Sequence, residues 1–270
     1  MTSNAVHVTD EGGAGRRVAL LHGFTQTGRS WVPVVPALLA AGHHVVTVDA
    51  PGHGRSPDPA VDLWDAAGRI GAAVGDAVGP AAYVGYSMGG RLALHLALAR
   101  PDLVRALVLV GATPGIEDDS ERAARRAADD ALAASIERDG LEAFLERWLA
   151  GPLFASLPPD AQGMEARREN TAAGLAASLR TTGTGVQDVL WDRLGEVACP
   201  VLLVVGGLDA KFRALAERML PRFGAASTAR LAVLEGAGHA CHLERPDAFA
   251  ETVVAFLRAV DAAPGQADVR

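Results

Sequence analysis

The stretch Ala82-Tyr83-Val84-Gly85-Tyr86-Ser87-Met88-Gly89-Gly90-Arg91 constrains this chain more than any other. A short apolar run reaching Val84 reads as a buried strand, and residues 91–100, with Leu92, Leu94, Leu96 and Leu98, read as a helix. Between them, Gly85-x-Ser87-x-Gly89 spells a turn so sharp that its flanking positions must be nearly free of side chain. Such a turn lifts Ser87 Oγ clear of the sheet. It also sets the Met88 N–H, at the start of a helix, where it can face a developing oxyanion. Taken alone, the motif reads equally well as a Gly-rich strand–helix turn with an ordinary serine.

The remainder of the chain has to decide between the two. At 270 residues it suits one large α/β domain with an insertion better than two separate domains. Apolar residues make up 49% and charged residues 21%, which excludes a disordered chain. The net charge of −7, with no basic block, argues against nucleic acid as a partner. Met1-Thr2-Ser3-Asn4 has neither the charged nor the apolar part of a signal peptide, and no run is long enough to span a membrane. Cys199 and Cys241 fit a reducing compartment and show no zinc or haem spacing. A cytoplasmic protein without metal is expected.

Taken in order, Val6 to Arg17 suggests a hairpin turned at Gly12-Gly13-Ala14-Gly15. Val18-Ala19-Leu20-Leu21 is a continuous apolar strand of the kind buried in a parallel sheet, and it runs into the loop His22-Gly23-Phe24-Thr25-Gln26-Thr27. Residues 44–48, 106–110, 201–205 and 229–234 repeat the strand signal, with helical patterns between them. This alternation predicts an α/β fold with a mostly parallel, doubly wound sheet. From 115 to 192 the rhythm stops, and only helical patterns remain. The expected division is therefore a core over 1–114 and 193–261, an inserted helical lid over 115–192, and a frayed tail over 262–270.

Asp209 follows the strand at 201–205, and His239 lies in a Gly-rich loop after the last strand. Ser87, Asp209 and His239 thus stand in the chain order of the α/β-hydrolase fold, each at a strand's C-terminal end, where an open parallel sheet gathers its site. A serine hydroxyl needs an imidazole to take its proton, and the imidazole needs a carboxylate to fix its tautomer. Asp209 could instead cap the helix that follows, and His239 could be a bonded loop residue. Asp49, Asp188 and Asp192 are weaker candidates for the acid. The Phe24 and Met88 N–H groups are the expected oxyanion donors, with His22 and Gly23 shaping the oxyanion loop, His53 structuring its own loop and Cys241 as a packing residue.

Arg91 lies one helical turn beyond Ser87 on the same face, where an esterase-like site would stay apolar; a guanidinium there points to an anionic substrate. The plainer alternative is a salt bridge beneath the lid. Arg122, Arg125, Arg126 and Arg180 add positive charge in the insertion, and Lys211 and Phe212 follow the presumed acid.

At these residues the chain resembles the 2-succinyl-6-hydroxy-2,4-cyclohexadiene-1-carboxylate synthase family of menaquinone biosynthesis. The resemblance runs from about Leu20 to Glu244. It is carried by His22-Gly23-Phe24-Thr25-Gln26-Thr27-Gly28, Asp49-Ala50-Pro51-Gly52-His53-Gly54-Arg55-Ser56 and the turn ending at Arg91. Trp148-x-x-x-Pro152-Leu153-Phe154-Ala155-Ser156-Leu157, the stretch 178–187 and Asp209-x-Lys211-Phe212 add to it. Two positions depart from the usual pattern, Ala50 and Gly207. The resemblance implies elimination of pyruvate from a substrate with several carboxylates, with no metal or organic cofactor. It also implies substrate contacts at Tyr86, Arg91, Arg125, Trp148, Arg180, Lys211 and Phe212, with Arg126 close enough to compete with Arg125. A hydrolase of a carboxylate-bearing ester or C–C bond and a non-catalytic binding protein are the alternatives. Nothing in the sequence distinguishes a monomer from a homo-oligomer.

Overall fold

The structure is a computed structural model that describes residues 6–56, 61–75 and 79–263. Strands β1 (His7–Gly12), β2 (Arg17–Leu21), β3 (His44–Asp49), β4 (Ala81–Tyr86), β5 (Val104–Val110), β6 (Val201–Gly206) and β7 (Arg230–Leu234) form one sheet in the order β1-β3-β2-β4-β5-β6-β7. All neighbours are parallel except β1, which runs antiparallel to β3. The helices are α1 (Val35–Ala40), α2 (Leu63–Val74), α3 (Met88–Ala99), α4 (Asp119–Asp139), α5 (Leu141–Leu149), α6 (Met164–Arg167), α7 (Ala172–Thr182), α8 (Ala210–Met219), α9 (Cys241–Glu244) and α10 (Pro246–Ala262).

The strands read as unbroken apolar runs because both faces of the sheet are covered. Their side chains alternate between two cores, as a period of two requires. Ala19, Leu21, Tyr83, Leu107 and Leu203 pack with Ile70 of α2 and Leu92 and Leu96 of α3. Leu20, Val84, Val108 and Val204 pack on the other side with Leu38 of α1 and Phe249, Val253 and Leu257 of α10. Every residue of β4, the central strand that leads to Ser87, is buried.

Two expectations need correction. The first segment is no hairpin: β1 pairs with β3, and β2 lies on the far side of β3. Gly12 and Gly13 take positive φ values of +100° and +92° and carry the chain across. A side chain on Gly13 would run into the His43 carbonyl, so glycine there serves a crossing and not a tight reverse turn. The last helix continues through Ala262, and the tail expected to fray lies mainly at 264–270, outside the described residues.

Between β5 and β6 the described residues are helical or irregular, and α4, α5 and α7 share a core of their own from Ala133, Ile136, Phe144, Leu145, Leu175 and Leu179. Asp118 caps α4 through the Glu121 N–H at 2.8 Å, and Thr171 caps α7 through the Gly174 N–H at 3.0 Å. Phe24 and Trp148 pack against this core from its edge, which faces the C-terminal ends of the strands. No helix among the described residues is long and apolar enough to cross a membrane.

Asp49, at the end of β3, shows how the loops at this end are held. Its Oδ1 accepts the Gly28 N–H at 2.7 Å and its Oδ2 the Arg55 N–H at 3.0 Å, with the side chain buried. Burial pulls its pKa up, but the Arg55 and Gly28 donors, with the nearby His22 and His7, hold the carboxyl below its ordinary value. Asp49→Asn sets an NH2 against one of these two donors and should cost about 2 kcal/mol at neutral pH, read by urea unfolding. Because the native pKa is depressed, the stabilisation is complete above the unfolded value, about pH 4, and disappears as pH falls through the native one. The gap between wild type and Asp49→Asn should therefore narrow in acid.

Candidate active site

Ser87 stands between β4 and α3 with φ +50° and ψ −106°, a strained conformation for a residue with a side chain. Its own N–H donates to the Val110 carbonyl at 2.8 Å, and its carbonyl accepts the Arg91 N–H at 3.1 Å. A Cβ on Gly85 would strike the backbone of Gly89, and one on Gly89 would strike the Leu21 carbonyl. The glycines are there because the first turn of α3 lies directly against β2 and β4.

Asp209 divides its carboxylate. Oδ1 accepts the Phe212 N–H at 3.2 Å and caps α8, while Oδ2 lies 2.7 Å from His239 Nδ1. The cap and the imidazole partner, which the sequence offers as alternatives, are both present on different oxygens. Donation of Nδ1–H to Asp209 leaves Nε2 as the nitrogen able to accept a proton. Buried His239 is wedged between Phe212 and Tyr86, with ring centroids 4.4 and 5.2 Å away.

A cavity of about 450 Å³ lies between the strand ends and the helical insertion. Ser87 and His239 both line it, as do Phe24 and Met88. Phe24 sits in a loop under close control. His22 Nδ1 donates to the Gly23 carbonyl at 2.8 Å and its Nε2 accepts the Ala50 N–H at 3.0 Å. Thr25 has φ +69°; Arg167 Nη1 donates to its hydroxyl, and Asn170 Nδ2 donates to its carbonyl at 2.8 Å. His53 is buried against this loop, and burial pulls its pKa to about 3.

Positive charge and aromatic surface make up the far wall. Arg91, Arg125 and Lys211 line the cavity together with Trp148 and Phe212. Arg91 is buried, and among the described residues no carboxylate is ion-paired with it; its Nη1 donates to the Thr182 carbonyl at 2.5 Å. Burial, reinforced by Arg125, draws its pKa down to about 10. Arg125 Nε donates to Asp129 Oδ1 at 2.8 Å. Trp148 lines the cavity, and its Nε1–H is buried without a hydrogen-bond partner.

Two expected contacts do not reach this wall. Arg180 forms a two-pronged pair with Glu137 at 2.5 and 2.8 Å, half exposed. Ser178, Leu179 and Thr182 occupy the inward face of α7, so Arg180 points away from the cavity. Tyr86 is buried behind the cavity, its ring on His242 at 4.3 Å as well as on His239. Among the other insertion arginines, Arg122 is turned to Asp119 and the Ile116 carbonyl, and the backbone of Arg126 is packed under Gly185.

Sequence reasoning missed Arg167. It is 2% exposed, donates from Nε to the Gln162 carbonyl at 2.8 Å, and lies 6.0 Å over the Phe154 ring. Burial lowers its pKa to about 10. In sequence it is half of an Arg167-Arg168 doublet in a charged stretch, and Arg168 pairs outside with Glu142. No periodic signal separates the two. Among the described residues no cluster of side chains could hold a metal ion.

Residues 18–252 match the alpha/beta hydrolase family. A Salmonella paratyphi C protein named 2-succinyl-6-hydroxy-2,4-cyclohexadiene-1-carboxylate synthase is 32% identical, covering 96% of this chain and all of its own length, 100%. The chain belongs to this synthase family of alpha/beta hydrolases. A Bacillus subtilis protein provisionally given the same synthase name is 36% identical, over 94% of each chain. The solved structure of MenH from S. aureus superposes with a TM-score of 0.87 at 29% identity, over 97% of this chain and 100% of that one.

A fluorophosphonate probe should label the wild-type protein on Ser87, and Ser87→Ala should abolish labelling. His239→Ala should slow labelling by about a hundredfold or more if its Nε2 is the base for the hydroxyl proton. Undiminished labelling in either variant, followed by intact-mass spectrometry, would contradict the arrangement.

Proposed function

We propose that this enzyme eliminates pyruvate from a cyclohexene polycarboxylate to give 2-succinyl-6-hydroxy-2,4-cyclohexadiene-1-carboxylate, a step of menaquinone biosynthesis. The observation that carries this reading is the buried Arg91, ion-paired with no carboxylate among the described residues, in the same cavity as Ser87 and His239. A neutral ester gives such a guanidinium nothing to bind, whereas a substrate carboxylate supplies the missing charge. The names of the relatives support the same reading.

Ser87 Oγ, passing its own proton to His239 Nε2, removes the ring proton α to the succinyl ketone. The resulting enolate oxygen is received by the Phe24 and Met88 N–H groups, each such donor contributing on the order of 3 kcal/mol. Electrons return through the ring double bond, the ring C–O bond breaks, and the three-carbon group leaves as the enol form of pyruvate. His239 gives the proton it holds to the leaving oxygen, and the enol then becomes the ketone as its methylene carbon gains a proton and its hydroxyl loses one. Asp209 holds His239 in the tautomer that accepts at Nε2. Arg91, Arg125 and Lys211 receive carboxylates, and Trp148 and Phe212 flank the ring. The helical insertion, with its own core, is the lid over 115–192 that excludes water and so suppresses hydrolysis. Tyr86 and Arg180 have no direct part.

Pyruvate and a conjugated cyclohexadiene should appear in equal amounts, the first read by a coupled dehydrogenase and the second by ultraviolet absorbance. A hydrolase acting on the same compound would form no diene, so pyruvate without diene sinks the lyase reading.

Arg91→Ala should lower kcat/KM by about thirtyfold or more, because truncating one member of a buried charge pair costs roughly 2–5 kcal/mol. Lysine should restore only part, having no planar fork. Turnover of p-nitrophenyl acetate, where measurable, should hardly change. Equal losses on both substrates with a clear drop in Tm would make Arg91 a structural residue.

A further inference from the structure

Asp129, on α4, is a buried carboxylate that the chemistry above leaves unused, 4% exposed and facing the same cavity. It serves two donors with two oxygens. Oδ1 accepts Arg125 Nε–H at 2.8 Å, and Oδ2 accepts the Gly185 N–H at 3.2 Å. The Gly185 donor is fixed: the turn after α7 presses on α4 so closely that a side chain at Gly185 would strike the Arg126 backbone. A Cβ on Gly183 would likewise come within 2.7 Å of Asp129 Oδ2. The Arg125 donor is the movable partner, since its side chain is 40% exposed.

That asymmetry has a consequence for the cavity. An arginine on a half-exposed helix face has many rotamers, and a ligand that needs one of them must order the rest. Asp129 engages Nε, so the two Nη groups are not spent on it and keep their planar fork for another carboxylate. The charge count points the same way. Arg91 and Arg125 repel one another across the cavity wall, while Asp129 acts on Arg91 in the opposite sense. One carboxylate against two guanidinium groups offsets part of the repulsion and still leaves a surplus for an anionic ligand.

We infer that Asp129 is a positioning residue, braced on the fixed Gly185 N–H, that aims Arg125 at a substrate carboxylate. The inference rests on the proposed reading of Arg125 as a carboxylate receptor. Asp129→Asn is the sharpest variant. Its single oxygen stays with the immobile Gly185 N–H, and its NH2 turns against Arg125, so the arginine limb alone is lost.

The assay is pyruvate release by the full chain, with KM and kcat separated and a thermal melt for each variant. KM in Asp129→Asn should rise about tenfold, the size of coupling usual within one hydrogen-bond network, while kcat changes much less. In an Arg125→Ala background the same substitution should add nothing, which a general weakening of the lid would not reproduce. Asp129→Glu, with its charge kept but its oxygens displaced by one methylene, should give a smaller rise that also vanishes without Arg125. It decides the matter if Asp129→Asn has no melting transition. An unchanged KM, or a full rise that persists in Arg125→Ala, overturns the inference while leaving the lyase reading intact. Absence of pyruvate release by the wild type overturns both.

Discussion

The first turn of α3 lies so close to the ends of β2 and β4 that no side chain fits at Gly85 or Gly89. This contact places everything else. It forces Ser87 to φ +50°, a conformation that costs on the order of 1–3 kcal/mol and persists only because the surrounding structure leaves no alternative. The hydrogen bond from Ser87 N–H to Val110 ties the strained residue to β5, and the buried leucines of α3 tie it to the core. The loop holding Phe24 leaves β2 beside it, and Asp209 and His239 arrive from β6 and β7 at the same edge of the sheet. A parallel sheet collects its strand ends on one side, so four separated pieces of chain meet without any of them being long.

Above that edge the electrostatics depend on where counter-charges are absent. Most arginines of the insertion are paired on its outside, Arg180 with Glu137, Arg168 with Glu142 and Arg122 with Asp119. Exposed pairs of this kind contribute little to stability and mainly keep charge solvated. Arg91 and Arg167 are different, being buried with pKa values pulled down by desolvation. Burying a guanidinium without an ion-paired acid carries a standing cost; at Arg167 the Gln162 carbonyl and the Thr25 hydroxyl accept its hydrogen bonds, whereas Arg91 has the Thr182 carbonyl and an open cavity beside it.

The chain's own order made the scaffold legible. Strands buried on both faces appear as unbroken apolar runs, and the Gly85-x-Ser87-x-Gly89 turn needs residue types that little else demands. The pairing of β1 was not legible, because Gly12 and Gly13 signal a change of direction without saying whether the chain turns back or crosses over. Side-chain direction in the insertion was equally hidden. Arg125 lies on the charged surface of α4 and Arg180 is the one charged residue of α7, and only the packing of α7 against α4 turns one toward the cavity and the other outward. Arg167 and the burial of Asp129 escaped notice for a related reason: in an arginine- and acid-rich stretch Asp129 reads as a partner on a solvated helix face, and composition cannot display burial.

The two duties of Asp209 bear on how such a protein could lose its chemistry and survive. One oxygen holds the imidazole and the other caps α8, so replacing this residue disturbs a helix terminus as well as a site. Ser87 carries no comparable duty through its side chain, since its bonds to Val110 and Arg91 run through the backbone. A descendant released from catalysis would therefore shed the serine hydroxyl freely and keep the aspartate for its architecture. A surviving aspartate at this position is thus poor testimony of activity, and the serine is the residue to consult.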